Sequence, residues 1–65
     1  MRIRVNGVDR DVPQGTTVAG LLQEMRLSPN RVAVEVNKRL LKMDRYGESL
    51  NEGDQVEIVT LVGGG

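Results

Sequence analysis

The order of extended and helical segments predicts an α+β domain: two strands, one helix, then three more strands. Three observations carry this. The chain begins with a hairpin signal centred on Asn6-Gly7. A single amphipathic stretch follows, with apolar residues at Val18, Leu21, Leu22 and Met25. Three later strand-like runs follow, two of them rich in β-branched residues: Val32-Ala33-Val34-Glu35-Val36 and the last, Gln55-Val56-Glu57-Ile58-Val59-Thr60-Leu61-Val62.

The hairpin is specific enough to fix a register. Asn-Gly suits a type I′ turn, which needs positive φ at both central residues. With those two as the loop, Val5 faces Val8, Arg4 faces Asp9 and Arg2 faces Asp11. Both charged pairs are opposite in sign and share one face, while Ile3, Val5, Val8 and Val12 share the other. Pro13-Gln14-Gly15 then breaks the strand, and Thr16 or Thr17 is placed to cap a helix. The stripe Val18, Leu21, Leu22, Met25 has i, i+3, i+4, i+7 spacing, one face packed on a sheet. Gly20 costs this helix about 1 kcal/mol relative to Ala, and close approach of another backbone is the expected compensation. The helix is expected to stop before Pro29, since the residue preceding proline avoids helical angles.

In the second half, Val32, Val34 and Val36 point inward and Glu35 outward. Asn37-Lys38 turns the chain into a short strand around Arg39-Leu40-Leu41. Met43, Tyr46 and Leu50 are expected to cover one end of the core. Lys38, Arg39, Lys42 and Arg45 form a basic cluster, better explained as solvated loop than as a patch for an acidic partner. Asn51-Glu52-Gly53-Asp54 launches the last strand. If Val56 and Ile58 face the helix, Val59 and Leu61 stand on the outer face, either as a docking surface or half covered by neighbours. A hairpin, a helix across one face and a final strand beside the first point to a β-grasp: a mixed sheet of four or five strands, with the first and last parallel at its centre.

Composition narrows function mostly by exclusion. The 65 residues make one domain close to the lower size limit for folding alone. There is no Cys and no His, so a cysteine nucleophile, a thiolate metal site and the commonest general base and metal ligand are missing. Nine basic residues balance nine acidic ones, which disfavours non-specific nucleic-acid binding. No apolar run is long enough to span a membrane, and Met1-Arg2-Ile3-Arg4 is too polar for a signal peptide. A cytoplasmic protein that is not itself an enzyme is the expectation.

What remains is the ending. Residues 1–62 read as the folded domain and Gly63-Gly64-Gly65 as a flexible tail. Three extended residues reach at most about 10 Å. Lacking Cβ atoms, they fit a narrow channel, and their tip is a carboxylate ionised at neutral pH. Terminal glycines are equally what a linker looks like.

The ordered set of these motifs resembles the ThiS family, ubiquitin-like β-grasp sulfur carriers of thiamine (thiazole) biosynthesis. It is carried by Val5-Asn6-Gly7, by Pro13-Gln14-Gly15-Thr16-Thr17-Val18 ahead of Leu21-Leu22, and by Val32-Ala33-Val34-Glu35-Val36-Asn37. It continues through Asn51-Glu52-Gly53-Asp54-Gln55-Val56-Glu57-Ile58-Val59 to Val62-Gly63-Gly64-Gly65, and so covers essentially the whole chain. The resemblance implies a protein cosubstrate that binds no cofactor of its own. Its Gly65 carboxylate would be adenylated by a ThiF-type adenylyltransferase, which uses ATP and Mg. A persulfide donor would then displace AMP to leave a thiocarboxylate, and the thiazole synthase ThiG would receive the sulfur. Gly64 and Gly65 match the family's closing pair, and Gly63 is the third glycine of some members. Gly63 and Gly64 would enter the partner's active site, with Val59, Leu61 and Val62 as docking residues. Many members have an aromatic residue where Leu61 stands, so Leu61 offers less contact area. The free chain is expected to be a monomer. A molybdopterin-like sulfur carrier, a ubiquitin-like protein modifier and a pure interaction module are the alternatives. The molybdopterin carriers, however, are usually longer and approach their glycines through a proline.

Overall fold

The computed structural model describes residues 1–61. Strands β1 (Arg2–Val5) and β2 (Val8–Asp11) form the hairpin, and helix α1 (Val18–Glu24) follows. Strands β3 (Val32–Val36), β4 (Arg39–Leu41) and β5 (Gln55–Thr60) complete a five-stranded sheet in the order β2-β1-β5-β3-β4. β1 and β5 are parallel and lie together inside the sheet, flanked by antiparallel neighbours. This is the β-grasp arrangement.

The hairpin has the predicted register, Arg2 opposite Asp11, Arg4 opposite Asp9 and Val5 opposite Val8. Asn6 and Gly7 both have positive φ, 50° and 82°. The facing charges are ion pairs on the solvent side, Arg2–Asp11 at 2.9 Å and Arg4–Asp9 at 3.0 Å. On the other face Ile3, Val5 and Val12 are buried with Val18, Leu21, Leu22, Val32, Val34, Tyr46, Leu50, Val56 and Ile58. The core is aliphatic with one aromatic ring.

Four expectations fail locally, each for a physical reason. Val8 was expected inward, yet it is 63% exposed. It sits beside the turn of an edge strand, and a seven-residue helix leaves that corner uncovered. Met43 is 53% exposed, because it opens a short 3-10 turn, Met43–Arg45, whose residues are all outside the core. Only Tyr46 and Leu50 close that end. The helix also stops earlier than proline requires. Arg26 adopts φ 60°, its N–H bonds Gln23 O, and the Leu27 N–H bonds Leu22 O at 2.8 Å. That is a Schellman C-cap, with Leu27 packed on the core beside it. Pro29 instead begins a separate 3-10 turn, Pro29–Arg31.

The fourth concerns Gly20. No other backbone approaches it: a Cβ there would meet only Thr17 Oγ1, at 3.4 Å. The hydroxyl of Thr17 is the N-cap and accepts from the Gly20 N–H at 3.0 Å. The Ala19 N–H, another unpaired donor of the first turn, is taken by the Tyr46 carbonyl at 2.9 Å. The loop after β4 thus straps the helix start.

With Gly20 exposed and unobstructed, Gly20→Ala is expected to stabilise the fold by about 1 kcal/mol, raising Tm by about 4–8 °C. Thermal unfolding checks it, and an unchanged or lower Tm would reveal a contact that glycine protects. A second expectation concerns pH. The Arg2 guanidinium donates to both Asp11 oxygens, at 2.9 and 3.2 Å, and this bonding with its attendant charge holds the Asp11 carboxyl below its usual value. A carboxyl depressed in the folded state contributes stability above its unfolded pKa, and loses it as pH falls through the folded one. The pair is fully at the surface, so the contribution is small and salt-screened. Carboxyl NMR titration should show Asp11 below the ordinary aspartate range, returning to it in Arg2→Gln.

Candidate functional site

The strand that leads to the chain end is the best-supported element of the sheet. On one side β5 pairs with β3 along its length, from Val36 opposite Val56 to Val32 opposite Thr60. The Leu61 N–H continues this, bonding Arg31 O at 2.8 Å. On the other side β1 is too short. Its ladder to β5 spans Arg4 opposite Gln55 and Val5 opposite Val56, and then the chain turns away at Asn6.

The side chain of Asn6 fills the gap. Its backbone N–H bonds Val56 O at 2.9 Å. Its side-chain Nδ2 then donates to Ile58 O at 3.1 Å, and its Oδ1 accepts from the Ile58 N–H at 2.8 Å. One amide therefore stands in for the strand residue that β1 lacks. Asn37 does the corresponding work across the sheet. Its N–H bonds Gln55 O at 2.7 Å, and its Oδ1 accepts from the Gln55 N–H at 3.0 Å. Its Nδ2 donates to Asp54 Oδ1 at 2.9 Å. Asp54, the buried polar residue of the core, uses its other oxygen to accept the Asn51 N–H at 2.8 Å. The two turn asparagines thus clasp β5 from opposite flanks.

Sequence reasoning recognised both asparagines only as turn formers. The signal was present at Asn37-Lys38. A type I′ turn favours glycine second, and here Lys38 takes φ 68° instead. That leaves the turn to be secured by the asparagine side chain.

The outer face of β5 is as predicted. Val56 and Ile58 are buried at 1% and 7%, whereas Val59 and Leu61 are exposed at 60% and 54%. Each is thus a little under half covered by its neighbours and presents the rest of its apolar surface to solvent. Val59 lies opposite half-buried Ala33, and Glu57 lies opposite Glu35, which in turn faces exposed Leu40. Val62, Gly63, Gly64 and Gly65, and with them the expected domain boundary after residue 62, lie outside the described residues.

Elsewhere the surface offers little chemistry. An open groove of about 280 Å³ is lined in part by Arg2, Arg4 and Asp9, but both arginines are engaged by Asp11 and Asp9. Of the basic cluster, Arg45 is paired with Glu48 at 2.8 Å. Among the described residues no group of three acidic, His or Cys side chains could hold a metal, and no helix is long and apolar enough to cross a membrane.

A five-stranded mixed sheet with parallel first and last strands and one helix across it defines the ubiquitin-like class of β-grasp proteins. A ubiquitin-like protein of Caldiarchaeum subterraneum shares the fold at TM-score 0.57 and 21% identity, over 98% of this chain and all of that one. Within this class the chain belongs to the ThiS family, whose profile matches residues 3–65. It is similar along its whole length, and that of the other chain, to the crystal structure of thiamine biosynthesis protein (ThiS) of Geobacter metallireducens, with TM-score 0.81 and 29% identity. It is also 42% identical over 66 residues to a thiazole synthase of Magnetococcus marinus, and all of this chain corresponds to 20% of that protein. The chain thus spans about a fifth of the thiazole synthases it matches.

Replacing Asn6 by Gly tests the clasp, because glycine accepts the positive φ and only the amide is lost. Leaving the Ile58 N–H and C=O without their partner should cost about 1–3 kcal/mol. Urea unfolding measures this, and a loss near zero would show that Asn6 is merely a turn residue.

Proposed function

We propose that the chain is a sulfur carrier of thiamine biosynthesis whose working group is the Gly65 carboxylate. The observation that carries this reading is the family match, which runs through residue 65 and so includes the glycine ending. The body adds support: β5, which leads toward that ending, is fastened on its β3 flank up to Leu61 and on its β1 flank up to Ile58.

A carboxylate is a poor electrophile, so it must be activated before sulfur can attack. One carboxylate oxygen attacks the α-phosphorus of ATP in a ThiF-type adenylyltransferase, and pyrophosphate leaves. A persulfide sulfur then attacks the acyl carbon and the acyl–oxygen bond to AMP breaks; a thiol reductant cleaves the resulting acyl disulfide, leaving the thiocarboxylate and a disulfide between the thiol and the donor. Partner enzymes supply Mg and the oxyanion electrostatics. Gly63 and Gly64 thread the partner's channel, since residues without Cβ admit close walls. Val59, Leu61 and Val62 dock beside its mouth. The thiocarboxylate passes sulfur to a ThiG-type thiazole synthase. That a segment similar to this chain forms a fifth of longer thiazole synthases favours this acceptor over the molybdopterin-like alternative. The carrier itself is monomeric, cytoplasmic and not an enzyme in this reading.

Intact-mass analysis tests it. After incubation with a ThiF-type enzyme, ATP and a sulfur source, a gain of about 16 Da is expected, oxygen replaced by sulfur at a modified C-terminus. Deleting Gly64 and Gly65 should abolish the gain while changing stability by no more than about 0.5 kcal/mol. Leu61→Glu should fold equally well but react more slowly. No gain in a mixture that modifies a known carrier would refute the proposal.

A further inference from the structure

Both hairpin turns hold an asparagine at positive φ, but only Asn6 is followed by glycine. The backbone nitrogen after an asparagine can attack the side-chain Cγ, and glycine hinders this attack least. From the juxtaposition of Asn6-Gly7 with Ile58 we infer that Asn6 is a spontaneous deamidation site, held in check by its clasp on β5, and that its conversion unfastens that strand.

The step needs no oxidant or cofactor. The Gly7 nitrogen loses its proton and forms a bond to Asn6 Cγ. The Cγ–Nδ2 bond breaks and Nδ2 leaves as ammonia, taking up a proton. Water then opens the cyclic imide at either of its two C–N bonds. One opening leaves aspartate at position 6, and the other leaves isoaspartate, with the backbone rerouted through the side chain.

In the native chain the same amide donates to Ile58 O at 3.1 Å and accepts from the Ile58 N–H at 2.8 Å. Cγ can swing toward the Gly7 nitrogen only after both bonds release. The reaction therefore proceeds from a locally opened state and is slowed by the stability of that clasp. Its product cannot restore the clasp. A carboxylate has no N–H for the Ile58 carbonyl and sets negative oxygen against it. Isoaspartate adds a methylene to the backbone of a two-residue turn. Either product loosens β5 at Ile58, so one bond-making event gives the closing strand a chemical lifetime.

The chain supplies its own controls. Asn30, Asn37 and Asn51 precede Arg31, Lys38 and Glu52, and Asn37 shares both the positive φ and the clasping role. The full chain is aged in mildly alkaline buffer with and without urea, then digested and mapped with isoaspartate-specific methyl labelling. The first site to gain about 1 Da should be Asn6, at least about tenfold faster in urea than in native buffer. Asn6→Asp should lower Tm and speed hydrogen exchange at the Ile58 amide. The ageing rates are read on the unaltered chain, so they stand even if Asn6→Asp fails to fold, a result that itself supports the clasp. Equal rates in both buffers, earlier modification at Asn30, Asn37 or Asn51, or an Asn6→Asp chain with unchanged Tm would overturn the inference.

Discussion

A strand inside a sheet must find partners for its peptide groups on both flanks, and β5 meets this demand beside a strand that ends too soon. β1 contributes four residues before its turn, whereas β5 runs six. Beyond Val56 the β1 flank of β5 has no backbone to pair with, and a buried peptide left unpaired costs about 1–3 kcal/mol. The Asn6 amide presents a donor and an acceptor in the spacing of a peptide group, so one side chain extends the ladder to Ile58. Asn37 does the same at the other end of the strand and ties in Asp54. The two hairpin turns are therefore also fasteners, which explains why both place asparagine, rather than any residue tolerant of positive φ, at their first position.

The rest of the architecture follows from holding that strand. Val56 and Ile58 meet the α1 stripe and the valines of β3 in one aliphatic core. The loop after β4 closes over the helix start through the Ala19–Tyr46 bond and the Leu50 N–H to Thr16 O bond at 2.8 Å. Charges lie on the far face of the sheet, where Arg2 and Arg4 are engaged by Asp11 and Asp9. Such a body has few reactive side chains of its own. This suits the proposed function, in which activation, sulfur delivery and metal chemistry are left to partners and the carrier contributes the placement of one terminus.

Much of this was legible in the sequence because the signals were redundant. In the first hairpin, turn chemistry, charge pairing and apolar alternation all demanded one register, and a one-residue slip would have violated all three. The faces of β5 followed from strict alternation at Val56, Ile58 and Val59. The misreadings arose where a single rule stood alone. Alternation placed Val8 inward but is blind to how far a short helix reaches. The proline rule ended α1 at Pro29, but a Schellman turn through Arg26 ended it first, and nothing local marks an arginine for φ 60°. The clasp of β5 was illegible for a different reason. A hydrogen bond between residues 6 and 58 depends on strand order and length, which only the assembled sheet reveals.

The Ile58 amide tests the central claim most directly, because its bond is to a side chain fifty-two residues away. Native-state hydrogen exchange of the unaltered chain should show it protected to the level of the backbone-paired amides of β3 and β5, opening only with the sheet. Exchange at the rate of exposed loop amides would mean that β5 is open on its β1 flank and that the clasp does not hold the strand.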